Sequence, residues 1–397
     1  MANLLTLAAA VPSKSVQATG WFLETAWLIP ALPALSFFLI LFFGKKMKYK
    51  GAEFGITAIA LSLILAICCV GQWMNQVDNA SDNYKKNTPY ETEEKYSETS
   101  SQVLEENASA EPIEVASAEQ MNIYAAGEES GYEAVAVDAV IERFTWWETG
   151  GKKFQVGIMV DGLAVMMLFV VTVISLLVHI YSTDYVSGDR RYTHYFAFLS
   201  LFSASMLFFV LSENILQTIV GWELVGVCSF ALIGHWWEEK PNSDAALKAF
   251  LTNRVGDMGL LVGMIILFWS AGSWSIVDIN VAAINNEIGQ TTLLIASLCL
   301  TAAVMSKSGQ FILHTWLPDA MAGPTPVSAL IHAATMVVAG IYMVARLYGV
   351  FFEGYDIAGS SFNVLALVGS VTLVGAGYWL SSKMTSKKYS HTQQSLS

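Results

Sequence analysis

Residues 295–351, IASLCLTAAVMSKSGQFILHTWLPDAMAGPTPVSALIHAATMVVAGIYMVARLYGVF, decide the fold of this chain. Lys307 stands within the first apolar run of this stretch, at a depth where a bilayer core is expected. Burying a lysine there costs on the order of 2.5–3.5 kcal/mol on insertion scales. The apolar run breaks at Pro318, and further prolines follow shortly after. A broken helix beside an intramembrane charge predicts an ion or proton path through a membrane rather than a soluble core.

The composition outside this stretch also indicates a membrane protein. Apolar residues make up 54% of the 397 residues and charged residues 14%, and several apolar runs reach the ~20 residues that span a bilayer. The net charge of −12 is concentrated in residues 76–142, which hold 16 acidic and 3 basic residues. The four cysteines form no CxxC pair, and neither GxGxxG nor a P-loop occurs. We therefore predict the lipid bilayer as a partner, and no nucleic acid, metal site or disulfide framework.

The hydropathy pattern predicts an all-α, polytopic transmembrane bundle of about nine spans. The predicted spans are 25–44, 53–73, 158–183, 193–212, 214–235, 249–271, 292–319 with a break, 326–350 and 362–380.

The predicted domain organisation follows from these spans. It comprises a two-span region (1–73), an acidic and disordered extracytoplasmic loop (74–152), a core (153–352), a further segment (353–380) and a tail (381–397). The disorder is expected because the loop is rich in Glu, Ser and Asn and cannot bury enough apolar surface to fold alone.

Loop charges predict the orientation in the membrane. Four lysines lie between residues 45 and 50, and Arg190, Arg191 and Lys240 fall on the same side of the bilayer. By the positive-inside rule this side faces the cytoplasm. The N-terminus and the acidic loop are then extracytoplasmic, in a plasma membrane of bacterial type.

Besides Lys307, three further ionisable residues lie within other predicted spans. Glu223 is roughly mid-span, and an intramembrane carboxylate indicates an ion pathway, although a protonated, hydrogen-bonded carboxyl is the structural alternative. Arg254 and Asp257 are three residues apart and share one helix face. An internal salt bridge that only neutralises both is the alternative for that pair.

Two histidines flank the broken helix. His332 lies in SALIHAATMV and is predicted to act as a relay, although a lone helix histidine is more often structural. His314 lies closer to the break and is the weaker relay candidate. Glu213, Asp184 and Asp189, at the ends of spans, are expected to be solvated.

These residues carry a resemblance to a known family. DGLAVMMLFVV, GWELVGVCSFALIG, NRVGDMGLL and the stretch from SKSGQF to MVAR resemble the antiporter-like membrane subunits of respiratory complex I, NADH-quinone oxidoreductase, and most closely its chain 5 or L subunits. Together the motifs cover most of residues 158–350. The acidic loop is longer than is usual in that family.

The resemblance implies a proton-translocating subunit built from two five-helix repeats. The first repeat is complete in this chain, and the second begins in residues 353–380. Glu223 and Lys307 would form its charge switch, His332 would connect laterally along a polar axis, and Arg254 with Asp257 would support the input side. The family carries no cofactor in this subunit, since NADH, flavin, iron–sulfur centres and quinone belong to partner subunits. The implied partners are other membrane subunits, chiefly the adjacent antiporter-like one.

Two further hypotheses remain open at this level. The same Glu–Lys core occurs in multisubunit cation/proton antiporters and in bicarbonate-uptake complexes. We also expect a frameshift near residue 375, because shifted codons for the polar end can read N-D-I-K-K-[IV]-L-A-Y-S-T-[IV]-S-Q, which resembles the family at that place. Residues 381–397 would then be an out-of-frame tail. If the missing base is an error of reading, the full subunit is restored, and if the short frame is real, the chain is a non-functional, truncated remnant.

Overall fold

The computed structural model describes residues 15–17, 19–87, 136–149, 152–333, 335–357 and 363–378. The middle of the predicted acidic loop, residues 88–135, and the predicted out-of-frame tail, residues 381–397, lie outside the described residues.

The described part of the chain is a helical bundle with eight spans that are long and apolar enough to cross a membrane. A strand β1 (Ser15–Gln17) and a short helix α1 (Trp21–Glu24) precede them. The spans are α2 (Leu28–Phe43), α3 (Ala52–Asn87), α4 (Gly162–Tyr185), α5 (Tyr192–Val210), α6 (Ile215–Ile233), α7 (Lys240–Ala271), α9 (Gln290–Lys307), and α10 (Thr325–Ala333) together with α11 (Met336–Arg346). The predicted polytopic, multi-pass helical fold is confirmed.

Three further helices complete the described chain. Helix α8 (Ile276–Ile284) connects two spans, and α12 (Tyr348–Gly354) follows the last of the eight. Helix α13 (Val364–Tyr378) corresponds to the predicted ninth span and is shorter than a full span. Helix α5 lies at the centre of the bundle, where nearly all of its side chains are buried between α2, α4 and α6.

The prediction of an unstructured loop over 74–152 is wrong at both ends. Helix α3 continues to Asn87, and strands β2 (Ala136–Asp138) and β3 (Val140–Thr149) begin before the predicted boundary. Strand β3 pairs in antiparallel register with β4 (Lys152–Val160), while β2 pairs in parallel with β1. The sequence of β3 is rich in β-branched and aromatic residues, which favour strands. The next helix therefore starts at Gly162 rather than at 158, and Asp161 caps it by accepting from the Ala164 amide at 2.8 Å.

The break after Lys307 comes earlier than the prolines predict. Helix α9 ends at Lys307 itself, and Gly309 adopts a left-handed φ of 57° that ends the helical path. Two 3₁₀ turns, His314–Trp316 and Asp319–Ala322, lead to α10. The predicted span 326–350 is confirmed as one membrane-length span over Thr325–Arg346, which is divided into α10 and α11, and α12 follows it as a separate short helix.

The bundle has two chemically distinct ends. At the basic end, the Arg191 guanidinium donates to the His235 carbonyl at 2.7 Å, and a cavity there is lined by Lys48 and Lys50. At the hairpin end, β4 joins α5 through the Met159 amide and the Leu211 carbonyl at 3.0 Å. The basic loops thus share one side of the bundle, as the charge pattern predicts, while the assignment of that side to the cytoplasm stays a prediction.

Candidate functional site

Lys307 is fully buried at the C-terminal end of α9. Its ammonium donates to the backbone carbonyl of Trp222 on α6 at 3.3 Å and lies 5.4 Å from the centre of the Trp222 ring. A carbonyl dipole and an aromatic face both stabilise a cation without carrying a full negative charge. Gly226, one turn along α6, leaves the space that the ammonium occupies, because a methyl group there would lie 2.8 Å from Nζ.

Asp257 on α7 is linked to the same tryptophan. The Trp222 indole N–H donates to Oδ1 of Asp257 at 2.6 Å, and both side chains are buried. One residue of α6 therefore contacts a lysine from α9 with its carbonyl and ring face, and an aspartate from α7 with its N–H. No pattern in the sequence indicated this bridging role for Trp222.

Glu223 forms an ion pair with Arg254 of α7 at the side of this cluster. The Arg254 guanidinium also lies 4.9 Å from the centre of the Phe250 ring. Since Arg254 pairs with Glu223 and Asp257 accepts from Trp222, the alternative in which Arg254 and Asp257 neutralise each other is wrong. Together, Lys307, Trp222, Asp257, Glu223 and Arg254 are called the central cluster below.

The structure relates Glu223 to Lys307 indirectly. Within the described residues the ion pair of Glu223 is with Arg254, and Lys307 has no carboxylate within salt-bridge distance. The carbonyl that Lys307 contacts belongs to the peptide bond between Trp222 and Glu223. The two ionisable groups are therefore neighbours through the backbone, and their role as a charge switch stays a prediction.

The two histidines have different surroundings. His332 is partly buried on α10, one residue before that helix ends, and its Nε2 atom is shielded without a hydrogen-bond partner among the described residues. His314 is exposed in a 3₁₀ turn, where its ring stacks parallel to Phe311 at 6.4 Å between centres. The structure thus leaves His332 as a buried candidate and places His314 on the surface, outside the central cluster.

A second set of charges lies at the hairpin end and was missed by sequence reasoning. Arg346 makes two bonds to Asp161, of 2.6 and 2.9 Å, and a third to the Tyr342 hydroxyl at 2.7 Å. Arg143 of the hairpin pairs with Glu213 at 2.7 Å. The expectation that Glu213 is solvated is wrong, because its carboxylate is buried under the hairpin.

A third set lies at the basic end. Asp189 accepts from the Trp236 indole at 2.9 Å and faces His235 Nε2 at 3.2 Å. Burial lowers the pKa of His235, although Asp189 opposes this effect. Burial acts to raise the pKa of Asp189, but the Arg191 amide, Trp236 and His235 outweigh it and hold that pKa below its usual value.

One fully buried histidine was also missed. His179 on α4 bonds the Ser175 carbonyl through Nδ1 at 2.7 Å and faces the Ser200 hydroxyl of α5 through Nε2 at 3.4 Å. Gly55 of α3 allows the close approach of this helix to the histidine ring. A histidine within a uniformly apolar span is the sequence feature that could have pointed to His179.

The described residues hold no group of three or more His, Cys, Asp or Glu that could bind a metal ion.

Two family models match the chain. The model described as "NADH:quinone oxidoreductase/Mrp antiporter, TM" matches residues 212–384, and that for "NADH-Ubiquinone oxidoreductase (complex I), chain 5 N-terminus" matches residues 146–196. Together they cover more than half of the chain, including the whole central cluster. The predicted resemblance is confirmed.

Curated relatives and solved structures agree with this match. NAD(P)H-quinone oxidoreductase chain 5 of Picosynechococcus sp. is 44% identical over 234 residues, 57% of this chain and 34% of that protein. The chloroplastic subunit 5 of Adiantum capillus-veneris is 47% identical over 215 residues, 53% of this chain and 30% of that protein. The chain thus spans about a third of the length of these relatives.

Two solved complexes share the fold. The Mrp complex from Dietzia sp. aligns over 84% of this chain and 29% of that one, with a TM-score of 0.58 at 22% identity. The membrane-bound sulfane sulfur reductase, an archaeal respiratory membrane complex, aligns over 85% of this chain and 55% of that one, with a TM-score of 0.59 at 17% identity.

Proposed function

Since the chain belongs to the antiporter-like family of NADH:quinone oxidoreductase and Mrp membrane subunits, we propose that it is a proton-translocating membrane subunit of an NADH-quinone oxidoreductase. The single observation that carries this proposal is the fully buried Lys307, whose ammonium meets a carbonyl and a ring face rather than a carboxylate. An ammonium held this way can lose its proton without leaving a carboxylate unpaired beside it.

Lys307 exchanges a proton with the central cluster in this proposal. Asp257 and Glu223 supply negative charge near Trp222. The ion pair with Arg254 offsets the Glu223 charge and so weakens its attraction for the Lys307 ammonium. When the Glu223–Arg254 pair separates, the carboxylate becomes free to stabilise a protonated Lys307. His332, with its unpartnered Nε2, passes the proton laterally.

The energy for this step comes from outside the chain. Two unit charges about 6 Å apart attract by roughly 2.8 kcal/mol at an effective dielectric near 20. Lifting one proton against about 150 mV costs roughly 3.5 kcal/mol. A single switching pair therefore falls short, and quinone reduction by NADH in partner subunits, which carry the redox cofactors, drives the cycle.

The partner is an adjacent membrane subunit that covers the α6–α7 face. The Glu223 and Arg254 side chains remain 22% and 36% exposed at mid-span, where contact between charges and lipid is costly. A stripe of exposed apolar side chains runs along α7 beside them. Its members are Leu247, Leu251, Val255, Met258, Val262, Ile265 and Trp269. A packed helix from a neighbouring subunit would shield both the stripe and the ion pair.

The test compares Lys307→Ala with Lys248→Ala in the intact complex in membrane vesicles. Lys248 is about half exposed and pairs with Asp319 at 2.6 Å, so its loss removes a lysine without touching the central cluster. We expect Lys307→Ala to assemble but to abolish proton uptake driven by NADH, while Lys248→Ala pumps normally. Normal proton uptake per NADH oxidised in Lys307→Ala would overturn the proposal.

A second candidate is a subunit of a multisubunit cation/proton antiporter. It is favoured by the description of the matched family model, which names Mrp antiporters together with the oxidoreductase. The two candidates differ in their driving force. Proton movement that follows an imposed sodium gradient without NADH would favour the antiporter, and movement that requires NADH oxidation would favour the first proposal.

A further inference from the structure

A groove of about 570 Å³ lies between the β3–β4 hairpin and the helices α2, α5 and α6. Its walls are almost entirely apolar, with Leu201, Phe208 and Val220 among the larger side chains. Small residues of α2, Ala31 and Ala34, give it depth. No residue of the central cluster lines it, although Leu224, the neighbour of Glu223 on α6, does.

The length of the groove corresponds to one leaflet of a bilayer. Its lining extends from Leu201 on α5 to Leu211, the residue that caps the end of that helix, a rise of about 15 Å along a helix. This is half of the ~30 Å thickness of the hydrocarbon core. Leu211 lies beside the hairpin, whereas Leu201 is near the middle of its helix. The groove therefore follows the half of the membrane nearer the hairpin end.

The hairpin end of the groove has the features of a membrane–water interface. Trp27, Phe144 and Trp146 are all more than half exposed there. Tryptophan side chains are enriched at the level of lipid headgroups. The hairpin is held in this position by the bonds from Arg143 to Glu213 and Ser275.

Two residues of opposite charge follow each other on strand β3 at this end, and their side chains leave opposite faces of the strand. Glu142 and Arg143 both line the groove, and both belong to strand β3. Arg143 is fixed by Glu213 yet keeps about a third of its side chain exposed. A zwitterionic headgroup matches this arrangement, with its phosphate facing Arg143 and its ammonium facing Glu142. An anionic headgroup would be repelled by the Glu142 carboxylate, which forms no ion pair with another described residue.

We propose that this groove binds one zwitterionic diacyl phospholipid, with an acyl chain along α5 and the headgroup at Glu142 and Arg143. The acidic segment that precedes the hairpin is unsuited to the site, because residues 88–135 contain 12 acidic residues and one basic residue. Burying such a segment at hydrocarbon depth would be costly. The bound lipid fills the space beneath the hairpin and ties it to α2. The proposal requires only that the chain spans a membrane, so it is independent of the proton-transport role.

The test uses the assembled complex in lipid nanodiscs that contain phosphatidylethanolamine with a photoreactive acyl chain. After a delipidating wash and illumination, labelled peptides are mapped by mass spectrometry. We expect label on the α2 and α5 walls of the groove. Ala34→Phe should fill the groove and reduce this label about tenfold, which corresponds to a loss of about 1.4 kcal/mol in binding. Leu35→Phe is the matched control, because Leu35 is 57% exposed on the same helix but does not line the groove.

A headgroup variant keeps the test decisive if Ala34→Phe fails to assemble. Glu142→Lys lies on an exposed strand position and should shift the preference from phosphatidylethanolamine to phosphatidylglycerol in a competition experiment. Several outcomes would overturn the proposal. They are equal labelling of Ala34→Phe and wild type, an unchanged headgroup preference in Glu142→Lys, displacement of the label by an isoprenoid quinone but not by phospholipid, or cross-links from the groove to a helix of another subunit.

Discussion

The central cluster and the hairpin end use the same types of charged residue in opposite ways. At the hairpin end, Arg346 meets Asp161 through two direct bonds, and Tyr342 completes the set. In the central cluster, the neutral side chain of Trp222 stands between Lys307 and Asp257. In the first arrangement each charge bonds directly to its counter-charge, whereas in the second Lys307 contacts a carbonyl and Asp257 contacts an indole N–H.

This difference indicates which charges hold the bundle together and which can change protonation. A bidentate Arg–carboxylate pair is geometrically specific, and an arginine does not deprotonate in proteins. Lysine can deprotonate when it is buried, because the loss of hydration disfavours its compact ammonium charge. We therefore expect variants at the hairpin end to affect assembly and variants in the central cluster to affect proton transport.

The largest expected effect on stability follows from Arg346→Ala. It leaves the Asp161 carboxylate without its partner, and breaking a buried pair in this way costs about 3–5 kcal/mol. Thermal unfolding and assembly of the complex in mild detergent would measure this loss. Arg190→Ala is the control, since Arg190 is exposed at the basic end, and exposed substitutions usually change stability by less than about 0.5 kcal/mol. Equal melting of the two variants would contradict the structural role of the Asp161–Arg346 pair.

Trp222→Phe is expected to have the next largest effect, and on transport rather than assembly. The phenyl ring keeps the packing, but Asp257 loses a charge-assisted hydrogen bond worth about 1.5–3 kcal/mol. Proton uptake per NADH oxidised should fall sharply. Trp236→Phe is a matched control, because it removes an indole bond to Asp189 at the basic end. If both variants pump alike, the bridging role of Trp222 is wrong.

Gly226→Ala sharpens the comparison further, because it should stabilise a helix while impairing function. Replacing a helical glycine by alanine gains about 0.5–1 kcal/mol in helix propensity. The new methyl group would lie 2.8 Å from the Lys307 ammonium and displace it from the Trp222 carbonyl. We expect slower proton uptake without loss of assembly. Gly71→Ala on α3 is the control, since a methyl group there meets nothing within 4 Å, and the idea fails if the two variants pump equally.

The smallest expected effect is a pH dependence of stability at the basic end. Burial holds the pKa of His235 below its ordinary value of 6.5. The unfolded chain therefore binds this proton at a higher pH than the folded chain does. Stability is full above pH 6.5, declines as the pH falls from 6.5 toward the lower folded pKa, and levels off below that pKa. Melting curves between pH 7.5 and pH 5 should show this decline, and His235→Gln should reduce it. An unchanged decline in that variant would exclude His235 as its source.

The membrane spans were predictable from the sequence, whereas the β3–β4 hairpin was missed. Missing the hairpin also led to the wrong expectation for Glu213. The spans followed from runs of apolar residues, but averaging the composition over residues 74–152 concealed strand β3. Its sequence VIERFTWWET, followed by Gly150 and Gly151, carries a strand signal and a turn signal. Because the hairpin was not predicted, no segment was expected to bury Glu213. Its partner Arg143 lies 70 residues away in sequence, and no local pattern relates the two.

The candidate site was predicted as a set of residues but not as a set of contacts. Lys307, Glu223, Arg254 and Asp257 stood out because ionisable side chains are rare in apolar spans. The structure assigns Arg254 to Glu223 rather than to Asp257, and His314 to the surface. Sequence spacing shows which side chains share a helix face, but it does not show which neighbouring helix that face meets.

The sequence by itself determined that this chain is a membrane-spanning bundle with charges at unusual depth. It could do so because a helix in lipid satisfies its own backbone hydrogen bonds, which makes each span a local property of about 20 residues. Only the tertiary structure decided that α6, α7 and α9 converge on Trp222, and that the hairpin covers Glu213. Those contacts depend on how helices pack against one another, and packing is set by the shapes of many side chains that are distant in sequence.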